Sequence, residues 1–336
     1  MTNPDLKRRH LAQQFASLAA LTAVLNRASG QTPPPPCCPG ECCPTVIVVP
    51  FAAGGTTDWI GRLLARALEQ ELKTTVIVDN KPGAGGMLGA SIVAQGQKTG
   101  GQALLATNGS LLTSLLVPRP SVRVVTDLEP VSLVATAPLA LVVPLSSSSN
   151  TLNDLLQLLR ATPGKKHFAS PGTGTTSHLA ATLLLQLTGT TAGHIPYRGA
   201  APALIDLMAG HVDFGFFEVA QVAEQVRLDR VRVLGVGSGA RSRLLPNTPT
   251  LQEQGVKEFE VAEWFGVFTA RGIPSLSSER WHMAVANAAS SASFRSQLAE
   301  RGLVPQSMTS AAFSQFVVQQ ASKWSGVAQR AGIKVD

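Results

Sequence analysis

Val46-Ile47-Val48-Val49-Pro50-Phe51-Ala52-Ala53-Gly54-Gly55-Thr56-Thr57-Asp58 carries the signal that decides the fold. Val46 to Phe51 is a continuous apolar run rich in β-branched residues, the pattern of a strand buried on both faces. Two glycines break that run, and Thr56, Thr57 and Asp58 supply N-cap chemistry for a helix. Ile60, Leu63, Leu64, Ala67, Leu68 and Leu72 then recur at helical spacing, marking one buried face. Strand, glycine turn and amphipathic helix together make a β–α unit.

The same unit recurs outward along the chain. Thr75 to Asn80 reads as a strand, and Lys81-Pro82-Gly83-Ala84-Gly85-Gly86 turns into a helix through Gln95. Ala103 to Thr107 reads as a third strand, with Asn108-Gly109-Ser110 capping a short helix. Ser146 to Asn150 marks a boundary, after which a second series begins. It comprises strands at His167–Ser170, His194–Tyr197, Asp213–Phe217 and Val231–Val236, and helices at Ser177–Leu187 and Ala200–Met208. Beyond Trp264–Thr269 the pattern turns helical, most clearly over Leu276–Ala289 and Ala311–Ala331. Two β–α series predict an α/β protein of two lobes, each a mostly parallel sheet flanked by helices.

The bulk composition agrees. The 336 residues are 44% hydrophobic and 15% charged, a globular composition in a chain long enough to bury two cores. The formal charge is +7, and falls to about +4 without the first thirty residues. The remaining basic residues are scattered, densest at Lys165-Lys166, and aromatics are only 5%. That is not the clustered stripe of a nucleic-acid surface, but a mild positive field suits an anionic ligand.

Residues 1–30 read as a signal peptide. Lys7-Arg8-Arg9 precedes an apolar run from Phe15 to Leu25, and Ala28-Ser29-Gly30 offers small residues for cleavage. The run is too short to cross a bilayer. Arg8-Arg9-His10-Leu11 loosely matches a twin-arginine signal, and a soluble amphipathic helix is the competing reading. No later segment is long and apolar enough to span a membrane, so the expected product is a periplasmic protein that is not integral to the membrane. Residues 31–44 form a linker rich in Pro and Cys. It holds all four cysteines, Cys37, Cys38, Cys42 and Cys43. No nearby His completes a zinc pattern; local disulfides and functionless thiols both remain open.

Candidate chemistry follows from the strand ends. Ligands in open α/β sheets bind beyond the carboxyl ends of strands, against helix N-termini. That rule selects three turns, at 52–58, 108–110 and 170–178. In the first, the backbone of Ala52, Ala53 and Gly54 and the hydroxyls of Thr56 and Thr57 meet a helix start. Orphan N–H donors and the helix dipole hold a carboxylate there without a cationic side chain. Asp58 ends this turn and reads as a capping carboxylate. Asn108 stands at the second turn. Ser170, Gly172, Gly174, Thr175, Thr176 and His178 repeat the device in the second series. No cofactor or metal is called for.

Enzyme signatures are sparse. Ser238 in Gly235-Val236-Gly237-Ser238-Gly239 lacks the G-x-S-x-G frame, and Leu88 breaks the dinucleotide fingerprint begun by Gly83 and Gly85. None of the six histidines pairs with another at i, i+4. A serine hydrolase using a Ser and His178 is the alternative function.

Several segments together resemble the Bug receptors, the TctC-like substrate-binding proteins of tripartite tricarboxylate transporters. They are Val49 to Asp58 with Arg62, Val78 to Gly86, His194 to Gly199 with Ala201 to Leu204, and Leu245 to Thr250 with Glu253 and Gly255. Their order and spacing cover nearly the whole chain from Val46 to Ile333. The resemblance implies a type II periplasmic-binding-protein fold, a Venus flytrap closing on a small organic acid. It implies a monomeric receptor serving membrane transporter subunits or a sensor. It also implies lobe 1 from 45–145 plus 262–336 and lobe 2 from 146–261, and it adds Tyr197 and Arg198 to the candidate ligand contacts. The chain departs from the family pattern at Gly100-Gly101-Gln102-Ala103, where an Asp-Gly-Tyr-Thr segment is usual, at Pro171, and in the Cys-rich linker.

Overall fold

A computed structural model describes residues 45–96 and 100–334. The expected signal peptide and the Pro/Cys linker lie outside the described residues.

The opening β–α unit forms as read. β1 (Thr45–Val49) leads through the glycine turn into α1 (Thr56–Leu72). Further elements are β2 (Val76–Asn80), α2 (Met87–Gln95), β3 (Gln102–Thr107), α3 (Asn108–Leu116) and α4 (Val124–Asp127). A strand of seventeen residues, β4 (Leu128–Pro144), follows. Next come α5 (Leu152–Ala161), β5 (His167–Ser170), α6 (Thr176–Thr188), β6 (Gly193–Pro196) and α7 (Ala200–Met208). Then β7 (Phe214–Glu218), α8 (Val219–Arg227), β8 (Val231–Val236) and β9 (Ala262–Ala270) complete the main strands. The chain ends with α9 (Ser275–Ser290), α10 (Ala292–Glu300), β10 (Val304–Pro305) and α11 (Ser310–Ala331).

The strands are ordered β2-β1-β3-β9-β4-β7-β5-β6, with β8 and β10 also on β4. Parallel pairing holds where β–α units follow one another, at β1–β2, β1–β3, β5–β6 and β5–β7. The long strands β4 and β9 add antiparallel ladders to this parallel framework. They link the halves, and a strand that leaves one sheet to enter the next meets neighbours running the other way. β4 pairs with β9 along Leu128–Pro138 and with β7 and β8 along Leu139–Pro144. It therefore belongs to both sheets. Register shifts fall between Pro130 and Ser132 and between Leu133 and Ala135; the first sits beside a proline that cannot donate to a regular ladder.

Each sheet is covered on both faces. Val48 and Val49, and likewise Leu104 and Leu105, point to opposite sides of the first sheet. One side packs with Ile60, Leu64 and Trp281, the other with Met87, Trp264 and Phe313. In the second sheet, Phe216 packs with Leu155, Leu184 and Trp324, while Phe217 packs with Leu207 and Val222. The final helix serves both halves: Phe313 and Val317 enter one core, Trp324 and Val327 another. No helix among the described residues is long and apolar enough to cross a membrane.

Candidate functional site

The three turns selected from sequence lie at the ends of β1, β3 and β5; one contact joins the turns after β3 and β5, and another ties the turn after β1 to the end of β7. Thr56 at the start of α1 donates its hydroxyl to Glu218 Oε2 at the end of β7 (3.3 Å). Asn108 at the start of α3 donates Nδ2–H to Thr176 Oγ1 at the start of α6 (3.2 Å). The helix N-termini of the two β–α series therefore face one cleft.

In the first turn, Ala52, Ala53, Gly54 and Gly55 are exposed. Gly54 adopts φ 92°, a conformation glycine reaches without strain. The turn is pinned from behind by Asp58. Asp58 Oδ2 accepts from Gly54 N–H (2.9 Å) and Arg62 Nε (3.0 Å), and Oδ1 accepts from Asn80 Nδ2 (2.9 Å). Burial alone would push this carboxyl up, but its donors, Arg62 foremost, hold it below the ordinary aspartate range. Asp58 thus shapes the turn, and Thr57 beside it is buried.

The second-series turn is pinned differently. Ser170 Oγ donates to Gly172 O (2.9 Å) and accepts from Gly172 N–H (3.2 Å). Ser170 Oγ also lies 2.7 Å from His194 Nε2, a hydrogen bond whose direction follows the imidazole tautomer. Gly174 N–H donates to His178 Nδ1 (3.1 Å), and Thr175 caps α6 by accepting from His178 N–H. The two imidazoles stack with centroids 3.7 Å apart, and Phe168 packs on His194 at 4.9 Å. Burial, reinforced by the neighbouring His194, pulls His178 down to about 3; burial pulls His194 down to about 4. Both rings are neutral at physiological pH.

Tyr197 and Arg198 follow β6. The Tyr197 hydroxyl donates to Asp206 Oδ2 (2.7 Å), so it is committed to α7. Burial, with Asp206 adding to it, raises this phenol to about 12. Arg198 is exposed. Gly199 N–H donates to Pro171 O (3.0 Å), which ties this segment to the turn that Pro171 opens. At the departure over 100–103, the Gly100 carbonyl accepts from Trp281 Nε1 (2.7 Å). A Cβ on Gly100 would lie 2.4 Å from the Ser277 Cβ, so the space is filled from α9.

Sequence reading missed three residues here. Glu218 and Glu263 bring carboxylates to the cleft, and His194 completes the stacked pair. A lone glutamate at a strand end carries no local signal, since only the turns brought against it give it a role. The serine hydrolase reading, which needs a serine hydroxyl on His178, finds no support in these contacts. His178 Nδ1 accepts from the Gly174 N–H, and the Ser170 hydroxyl pairs with His194 rather than with His178. Among the described residues no group of three or more His, Cys, Asp or Glu could hold a metal ion. A cavity of about 950 Å³ lies between Leu133, Arg241, Trp264 and Lys323 and includes none of the candidate turns. It lacks paired helix N-termini, so the cleft is the better supported site.

Residues 60–333 match the family described as tripartite tricarboxylate transporter family receptor. Protein BugT of Bordetella pertussis is 31% identical over 320 residues, covering 95% of this chain and 98% of that one. A solved R. palustris protein with adipate superposes with TM-score 0.77 at 30% identity, covering 87% of this chain and 98% of that one. MatC from Rhodopseudomonas palustris, with bound malate, gives TM-score 0.72 at 27% identity, covering 84% and 98% respectively.

Proposed function

The chain belongs to the tripartite tricarboxylate transporter receptor family, and on that premise we propose that it is a periplasmic receptor for a small organic acid. The family is one of solute-binding receptors with the two-lobed periplasmic-binding-protein fold, not of enzymes. One observation supports the reading: helix starts of the first series reach the second, Asn108 at the start of α3 onto Thr176 at the start of α6, and Thr56 at the start of α1 onto Glu218 at the end of β7. Orphan N–H donors at two converging helix starts hold a carboxylate by dipole and hydrogen bond. Structural relatives solved with adipate and with malate support that ligand class.

The proposal extends to the assembly. Residues 45–145 with 262–336 form one lobe and 146–261 the other, with β4 and α11 running through both. Export relies on residues 1–30. The receptor works as a monomer, captures its acid without chemical change, and passes it to membrane subunits of a tripartite transporter.

A thermal-shift panel of mono-, di- and tricarboxylates and amino acids tests this. Ligand at a hundred times Kd stabilises by about 2.7 kcal/mol, or several degrees in Tm. No shift with any acid at millimolar concentration sinks the reading.

A further inference from the structure

A second hollow lies on the opposite face of β9 from the cleft. Side chains of a strand alternate between its faces. Glu263 of β9 reaches the cleft, where it accepts from Gly109 N–H (3.2 Å) at the start of α3 and from the Thr176 hydroxyl. Its neighbours Ala262 and Trp264 line instead the cavity of about 950 Å³. The walls of that cavity come from both halves of the chain. Ser238 to Arg243 follow β8, while Arg295 belongs to α10 and Lys323 to α11. Two contacts pin these walls together. Leu244 lies against Gly302 with no room for a Cβ between them, and Lys323 Nζ donates to the Glu260 carbonyl.

The floor of the cavity is apolar and closed. Leu133 and Trp264 are each 1% exposed, and Leu303 is buried beside them. One donor on this floor is unused: Trp264 Nε1–H has no acceptor among the described residues. A buried N–H without an acceptor is costly, and such groups in folded proteins are nearly always paired. The rim is cationic. Arg241 is held by Glu253 (3.0 Å). Burial pulls the Lys323 ammonium down, and the Glu260 carboxylate nearby opposes that. Arg243 and Arg295 are exposed at the rim and have no carboxylate partner among the described residues.

A concave apolar floor with a few polar groups converging on it is the form of a small-molecule pocket. An apolar body takes such a floor out of water, and guanidinium forks match carboxylate and phosphate oxygens. We propose that this cavity is a second binding site, separate from the cleft, and that it takes an amphipathic anion. The head group meets Arg243 and Arg295, and the apolar body lies over Leu133, Trp264 and Leu303. An oxygen carried into the cavity completes Trp264 Nε1–H. A small anion lacks the body and a neutral molecule lacks the head, so neither satisfies both floor and rim. The site shares no residue with the glycine turns and does not rest on the receptor reading.

Calorimetric titration of the full chain tests this with octanoate and octyl phosphate against octan-1-ol and inorganic phosphate. At least one of the two amphipathic anions is expected to bind tenfold or more tightly than both octan-1-ol and inorganic phosphate. Arg243→Gln combined with Arg295→Gln should weaken that anion at least tenfold. Ala240→Trp, at another exposed rim position, should do the same by narrowing the mouth. The indole N–H resonance of Trp264 should move during the titration. No binding of either anion at millimolar concentration overturns the inference, and so does octan-1-ol or inorganic phosphate binding as tightly. Affinity unchanged in either folded variant, or an unmoved Trp264 resonance, puts the anion elsewhere and overturns the assignment to this cavity. Should the arginine variant fail to fold, Ala240→Trp and the resonance decide. These outcomes leave the carboxylate receptor untouched, since the panel of small acids tests the cleft separately.

Discussion

The turns that open α1 and α6 do the same job with opposite materials. The first is held by charge: Asp58, Arg62 and Asn80 form a network whose guanidinium reaches solvent, with the Arg62 side chain 52% exposed. The second is held by neutral groups: Ser170, His178 and His194 are packed under Phe168. A helix N-terminus needs only a backbone fixed in the right path. Whether charge or packing fixes it decides how each turn responds to pH and to mutation.

The largest expected effect is acid sensitivity of the second turn. Both imidazoles are held below their ordinary value, so the unfolded chain takes up protons that the folded chain refuses. Stability is complete above about pH 6.5 and falls as pH drops toward the folded values of about 4 and 3, by several kcal/mol in total. Glu218 acts in the other direction. Its folded value of about 7 stands above the ordinary 4.5, so its contribution is complete at low pH and declines as pH rises through that window. Denaturation from pH 4 to 8 should therefore show a steeper acid loss in Glu218→Gln than in the wild type. Equal slopes would mean that Glu218 is not held protonated.

A smaller effect is expected from removing one ring. His178→Ala empties a buried site against His194 and Phe168, at a cost of about 2–4 kcal/mol. Chemical denaturation would measure it, and a loss under 0.5 kcal/mol would mean that the stack does not hold the turn. The smallest is Asp58→Asn. It keeps the size but loses the charge toward Arg62 and one of the two acceptor oxygens, for about 1–3 kcal/mol, and the charge part of the loss should shrink at 1 M salt. A loss unchanged by salt would mean that hydrogen-bond geometry, not charge, pins the first turn.

The β–α series was legible because each unit is local: an apolar run, a glycine break and an amphipathic face lie within about thirty residues of one another. The glycine turns were legible for the same reason. β4 was not read, although its apolar content is high. Pro130, Pro138 and Pro144 interrupt the strand pattern, and pairing with β9 on one stretch and β7 and β8 on another removes any single alternation. Tyr197 was singled out beside Arg198, yet its hydroxyl faces Asp206, a partner nine residues on that no motif marks.

The sequence by itself determined the β–α order, the two glycine-rich helix starts and the family, because these rest on neighbours along the chain. Only the tertiary structure decided what the turns meet. Glu218 and Glu263 reach the cleft because β7 and β9 both join β4, and contacts across 162 and 87 residues then give them partners. No local pattern encodes such separations, since sheet pairing depends on burial of whole faces rather than on any residue type at the site.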